Sequence, residues 1–195
     1  MGVSLSTGEN VPLHGLKKVK VALGWEASQS KYPFDLDASC FMLGADNRVR
    51  DEKDHIWPEK NIRSRCGSVV HLGDNKTGGD GAADNETIEI TLDQVPSEIV
   101  RLVFTVSIHL ADRRGQNFGL VHRSFIRVID LEKNEEISRF DLSTAAKESK
   151  SAIFGELVRE EGGGWMFRAI GQGLEKELRD IAKEYGIRER GDSNE

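Results

Sequence analysis

Apolar and polar residues alternate over much of this chain, and the alternation predicts strands. Residues 17–25 set Val19, Val21 and Leu23 against polar or small neighbours, the period of a strand with one buried face. The same period recurs in residues 34–43, 68–72 and 87–92, where Ile88 and Ile90 alternate with Thr and Glu. Residues 100–110, VRLVFTVSIHL, are long and rich in β-branched residues, which suits a strand in the middle of a sheet. Residues 125–131 and 136–142 read as a hairpin around 132–134, and residues 153–160 and 165–170 as another around Gly162, Gly163 and Gly164. Val3 and Leu5 suggest a first short strand.

Residues 51–65 are charged and irregular, and residues 111–119 form a loop with Arg113 and Arg114 in solvent. A helical turn is expected after Ser143. Only the end of the chain has a helical period: Leu174, Leu178, Ile181, Ala182 and Tyr185 form one apolar stripe, stopped at Gly186 and followed by a charged tail, residues 188–195. Seven to nine short strands with one late amphipathic helix predict a mainly β fold, a two-sheet β-sandwich in one domain spanning residues 1–187, with the helix docked on a sheet. Loops gather at the ends of a sandwich, so segments distant in sequence can meet there.

One such loop, residues 67–86, reads GSVVHLGDNKTGGDGAADNE. It places Asp74, Asn75, Thr77, Asp80, Asp84, Asn85 and Glu86 among Gly73, Gly78, Gly79 and Gly81, with Lys76 as the nearby cation. Two carboxylates about 5 Å apart repel by roughly 3 kcal/mol at an effective dielectric of about 20, unless something positive sits between them. Hard cations such as Ca2+ take six to eight oxygens of these kinds. A polar loop with solvated charges is the simpler alternative. The loop fits neither twelve-residue frame of an EF-hand: from Asp74 the third position is Lys76, and from Asn75 the turn glycine becomes Asp80. It is not a phosphate loop, because Asn75 precedes the Lys-Thr pair where glycine is required.

A second acidic pattern opens the strand at 34–43. In FDLDAS, Asp35 and Asp37 fall on one face about 6.7 Å apart. Aspartate is a poor strand former, so either both are solvated at the strand's start or they close onto the glycine-rich loop and share its cation.

Composition narrows the classes. The chain has 195 residues with a formal net charge of -6, 37% hydrophobic and 31% charged residues, as in an ordinary soluble protein with no nucleic-acid footprint. No apolar run is long enough to span a membrane, and the start lacks a secretory signal. Met1, Gly2 and Ser6 fit the loose myristoylation pattern, although a strand explains them as well. Cys40 and Cys66 match no zinc spacing and read as reduced, buried thiols. The five histidines form no ligand pair at helical spacing.

Taken in order, these segments resemble the TerD family of tellurium-resistance and stress-response proteins. The resemblance rests on GVSLS at 2–6, LGW at 23–25, FDLDAS at 34–39, GSVVHLGDNKTG at 67–78, FTVSIH at 104–109 and QNFG at 116–119. FIRV at 125–128, IFGEL at 153–157 and FRAIGQG at 167–173 complete it. It implies a β-sandwich that binds Ca2+ through the DLDAS and GDNxT segments, in cytoplasmic proteins that act with other stress-response proteins and are not enzymes.

By position, the resemblance carries a ligand role to Asp35 and Asp37, and to Asp74, Asn75 and Thr77. Asp80, Asp84, Asn85 and Glu86 occupy the acidic stretch the family writes GEGDGDDE, here with Ala82, Ala83 and Asn85 in place of carboxylates and one residue inserted. Many relatives have Asp where this chain has Leu110, and Asp112 is a substitute two residues on. Two other functions remain open. One is a hydrolase using Asp35 or Asp37 with Glu86 as an acid/base pair, and the other a Ca2+-dependent carbohydrate-binding module.

Overall fold

A computed structural model describes residues 3–142 and 146–188. The turn expected after Ser143, the myristoylation pattern at Met1 and Gly2, and the tail from 189 onward lie outside the described residues. Among the described residues twelve strands form two six-stranded sheets. The first has the order β1 (Val3–Ser4), β10 (Glu135–Asp141), β9 (Phe125–Asp130), β3 (Lys18–Gly24), β7 (Glu86–Thr91), β6 (Val69–His71). The second runs β2 (Asn10–Pro12), β12 (Trp165–Leu174), β11 (Ser151–Arg159), β8 (Arg101–Ile108), β4 (Leu36–Leu43), β5 (His55–Ile56). Every pairing between these strands is antiparallel except that of β1 with β10.

The sandwich is the predicted one, with more strands. Short β2 and β5 carry too few residues for an alternation to register, so the sequence pattern passes over them. The strand at 100–110 is shorter, because Leu110 takes a left-handed conformation with φ of 55° and turns the chain into a four-residue helix, α1 (Ala111–Arg114), inside the expected loop. There Arg113 is exposed, while the Arg114 guanidinium donates to the Pro33 carbonyl at 3.4 Å.

Period two explains the layering. Leu36, Ala38, Cys40 and Met42 of β4 point into the core between the sheets, beside Val21, Ile88, Phe104 and Phe154. Phe41 and Leu43, of opposite parity, join a second cluster with Val103, Ile181, Ala182 and Tyr185. The second sheet is thus covered on its outer face by α2 (Leu178–Glu184), and all eight residues of β4 are buried. Leu174 ends β12, paired with Ser151, and is not helical. It packs partly buried against the α2 cluster, and this shared destination is why its spacing mimics the helical stripe. Cys40 is buried as expected but Cys66 is exposed, its thiol beside the Ser64 and Ser68 hydroxyls at 3.4 and 3.0 Å.

Phe41 stacks on His55 at 4.1 Å and meets Tyr185 at 4.9 Å. Phe41→Ala is expected to lower unfolding free energy by about 3–5 kcal/mol, the cost of emptying a packed aromatic site, as measured by urea denaturation.

Candidate metal centre

The acidic loop and the Asp-x-Asp strand meet at one end of the sandwich. At that end β5 pairs only with Cys40 and Phe41, so the backbone of β4 ahead of them needs another partner. Glu86 supplies it. Sharing the parity of Ile88 and Ile90, its side chain points inward from β7, and its Oε2 accepts from the Ala38 N–H of the opposite sheet at 2.6 Å. Its Oε1 accepts from the Asn75 N–H at 3.2 Å. His71 Nε2 lies 3.4 Å from the same carboxylate, and both side chains are fully buried. One carboxylate therefore joins both sheets to the loop.

The loop is tied to the end of β3 through Trp25. The Trp25 N–H donates to the Asn85 side-chain oxygen at 2.8 Å, the Gly79 N–H to the Trp25 carbonyl at 3.0 Å, and the indole to the Phe34 carbonyl at 3.2 Å. Gly78 has φ of +78°, and a Cβ there would meet the indole nitrogen at 2.5 Å, so this approach requires glycine.

With strand and loop clamped, one carboxylate oxygen each from Asp35, Asp37 and Asp74 fall within 4.8 Å of one another. Asp35 stands just before β4, where its carbonyl accepts from the His109 N–H at 2.8 Å. Its Oδ1 is buried without a hydrogen-bond partner. Burial raises its carboxyl pKa, with the Asp74 charge adding to the effect and His109 opposing it. Asp37 is pushed up to about 8, first by burial and then by Glu86, Asp35, Asp74 and Glu59. His109 Nδ1 stands 4.0 Å from the Asp37 carboxylate and 3.9 Å from that of Glu59.

This donor set fits a hard cation. Ligand oxygens about 2.3–2.6 Å from a shared Ca2+ lie within roughly 5 Å of each other, and an orphaned buried carboxylate oxygen calls for a positive partner.

The other sequence candidates do different work. Asn75 stands next to Asp74, but its side-chain oxygen accepts from the Thr77 and Gly78 N–H groups at 3.1 and 3.0 Å, closing the turn, while Thr77 is exposed. Asp80 is exposed and accepts from the Ala82 and Ala83 N–H groups. Asp84 faces Lys20 at 2.9 Å and Arg127 at 2.7 Å; burial alone would raise its pKa, yet the hydrogen bonds from these cations hold it below the usual range. Asn85 caps Trp25, and Glu86 spends both oxygens on backbone N–H groups. Asp112, the substitute for Leu110, pairs with Lys150. Sequence reasoning missed His71, His109 and Glu59: the two histidines lie within or beside the motifs it singled out but were set aside for want of a ligand pair at helical spacing, and Glu59 lies in the charged, irregular segment 51–65.

Fold and site together define a mainly β sandwich whose two sheets are joined at one end by a buried carboxylate beside a carboxylate cluster. The chain matches the TerD domain family over residues 1–185, and it belongs to that family. It is 44% identical over 192 residues to the tellurium resistance protein TerD of Serratia marcescens, covering 96% of this chain and 98% of that one. It is 40% identical over 193 residues to general stress protein 16U of Bacillus subtilis strain 168, covering 96% and 98%. The crystal structure of a TerD homologue from Streptomyces coelicolor A3(2) superposes with a TM-score of 0.72 at 26% identity, covering 86% of this chain and 96% of that one. Among the described residues no helix is long and apolar enough to cross a membrane.

The raised Asp37 pKa gives a signed pH dependence. The metal-free native state holds a proton that the unfolded chain releases near 3.8, so its stability falls as pH rises from about 4 to about 8. Asp37→Asn removes this loss. In chelator the variant should gain on the wild type across that window, by at most about 1.4 kcal/mol per pH unit, with the gap closing at the acid end of thermal melts.

Proposed function

We propose that this chain is a calcium-binding, non-enzymatic module of a cytoplasmic stress-response system, acting with other stress-response proteins. The observation that carries the calcium reading is the mutual approach of Asp35, Asp37 and Asp74 within 4.8 Å, with one oxygen buried without a partner and only the exposed Lys76, 3.7 Å from Asp74, as an ion-pair partner at the loop. Asp35, Asp37 and Asp74 would hold the ion, which when bound supplies positive charge and takes part in no redox step. Asn75, through its turn, and Glu86, through its two backbone acceptor bonds, position the loop against the strand.

The non-enzymatic reading and the link to resistance are supported by the names of the relatives, a tellurium resistance protein and a general stress protein. With Ca2+ the loop and β4 would be held as one surface, and without it Asp37 keeps a proton up to about pH 8 beside Asp35 and Asp74. The binding face offered to a partner therefore depends on the ion.

Saturation at about a hundred times the dissociation constant adds roughly 2.7 kcal/mol to a folded state that alone binds the ion. That is about 5–10 °C in melting midpoint for a domain of this size. Scanning calorimetry at neutral pH should show this rise with Ca2+ over chelator for the wild type and its loss in Asp37→Asn. An unchanged wild-type midpoint at millimolar Ca2+ would overturn the calcium reading.

A further inference from the structure

Antiparallel pairing brings the ends of β3, β6 and β8 and the starts of β4, β7 and β9 to the end of the sandwich that holds the carboxylate cluster. The large apolar side chains that stand in solvent gather there. Tyr32 stands shortly before Asp35, Leu72 shortly before Asp74, Leu110 directly after His109, and Leu120 in the turn that follows α1; each is 41–56% exposed. Exposed Ile62 flanks Leu72, its carbonyl accepting from the His71 N–H at 2.8 Å. Among the described residues, the loops of the opposite end, 13–17, 44–54, 92–100, 131–134 and 160–164, expose no large apolar side chain. Exposed apolar groups gathered on one side of a molecule mark a contact surface.

Basic side chains alternate with these tips along one rim. The Gln116 amide donates to the Tyr32 carbonyl at 2.9 Å and the Gly119 N–H to the Lys147 carbonyl at 2.7 Å, so segments 31–34, 110–120 and 146–150 lie side by side. Nearby, Arg123 pairs with Glu26 and Lys150 with Asp112. Lys31, Arg113 and Lys147 are exposed and pair with no carboxylate among the described residues, while Glu148 is the one acidic side chain of these segments left in the same way. The rim is thus cationic in a chain whose formal net charge is -6.

We propose that this end of the sandwich docks on an anionic phospholipid bilayer, with Tyr32, Leu72 and Leu120 entering the headgroup layer and Lys31, Arg113 and Lys147 meeting lipid phosphates. The proposal rests on the calcium reading: an ion held by Asp35, Asp37 and Asp74 neutralises the acidic patch that otherwise faces the lipid, and its open coordination positions suit phosphate oxygens. Single apolar tips on separate loops favour a bilayer over a protein partner. A rigid partner needs a matching recess for each tip, whereas a fluid interface takes all of them at once, and attachment grows with the apolar area entered and with attraction to anionic lipid.

The test is cosedimentation of the full chain with vesicles of phosphatidylcholine and phosphatidylserine, and with vesicles of phosphatidylcholine alone, in millimolar Ca2+ and in chelator. Saturable binding to the mixed vesicles is expected in Ca2+, about tenfold or more weaker without phosphatidylserine and lost in chelator. Lys31→Gln and Arg113→Gln should each weaken it about fivefold, the worth of one basic contact with an anionic surface. Leu72→Asn combined with Leu120→Asn should weaken it about tenfold. These four side chains are exposed, so the variants should keep the wild-type Ca2+ melt, which a structural role would shift. Absence of binding to the mixed vesicles in Ca2+, equal binding to phosphatidylcholine alone, equal binding in chelator, or a Ca2+-dependent dimer by light scattering in place of vesicle binding would each overturn the proposal. A normal Ca2+ melt without vesicle binding ends this proposal and leaves the calcium reading standing, whereas absence of the Ca2+ melt shift ends both.

Discussion

The architecture depends on one buried carboxylate. Glu86 projects from the first sheet into the space between layers and hydrogen-bonds the backbone of β4 in the second sheet and of Asn75 in the loop. A charge taken out of water in this way is tolerated only when its oxygens are satisfied, and here the Ala38 and Asn75 backbone N–H groups do so. Its geometric consequence is larger than its energetic one. With β4, β7 and the loop joined at a single side chain, Asp37 and Asp74 are held near each other despite their mutual repulsion.

The two sheets contribute differently. The first supplies Glu86 and the segment that leads into the loop, while the second supplies the Asp-x-Asp edge and carries α2 on its back. Trp25 completes the frame by tying the glycine-rich turn to the end of β3. The loop is thus fixed from both ends, by Trp25 and by Glu86, and Asp74 near its start is the loop carboxylate that meets Asp35 and Asp37.

Most of the sandwich was legible because its long strands repeat a clear alternation, as in Val19, Val21 and Leu23 or Ile88 and Ile90. Failures occurred where local pattern and tertiary destination part. Leu174 matched a helical stripe because strand and helix feed the same cluster, and β5 was hidden in a charged segment too short to alternate. Asp35, Asp37 and Asp74 were among nine candidates named from motif, strand parity and resemblance, and the fold brings their carboxylates together. Asp84 and Glu86 could not be sorted from them in that way, since a carboxylate's role depends on what lies opposite. Asp84 meets Lys20 and Arg127 from neighbouring strands, and Glu86 meets amide groups across the core. The inward parity of Glu86 with Ile88 and Ile90 was the one sign available in sequence, and it required the strand to begin a residue earlier than its alternation suggested.

β4 is enclosed on both sides, and this constrains how such a protein can diverge. Inward residues answer to one core and outward residues to another, so nearly any replacement in Leu36–Leu43 disturbs packing somewhere. The segment from Lys76 to Ala83 has few such obligations beyond Gly78, Gly79, Gly81 and the turn at Asp80. Changes of charge or length are therefore accommodated more readily in the loop than in the strand opposite it, so that one rigid frame can carry acidic ends of differing strength.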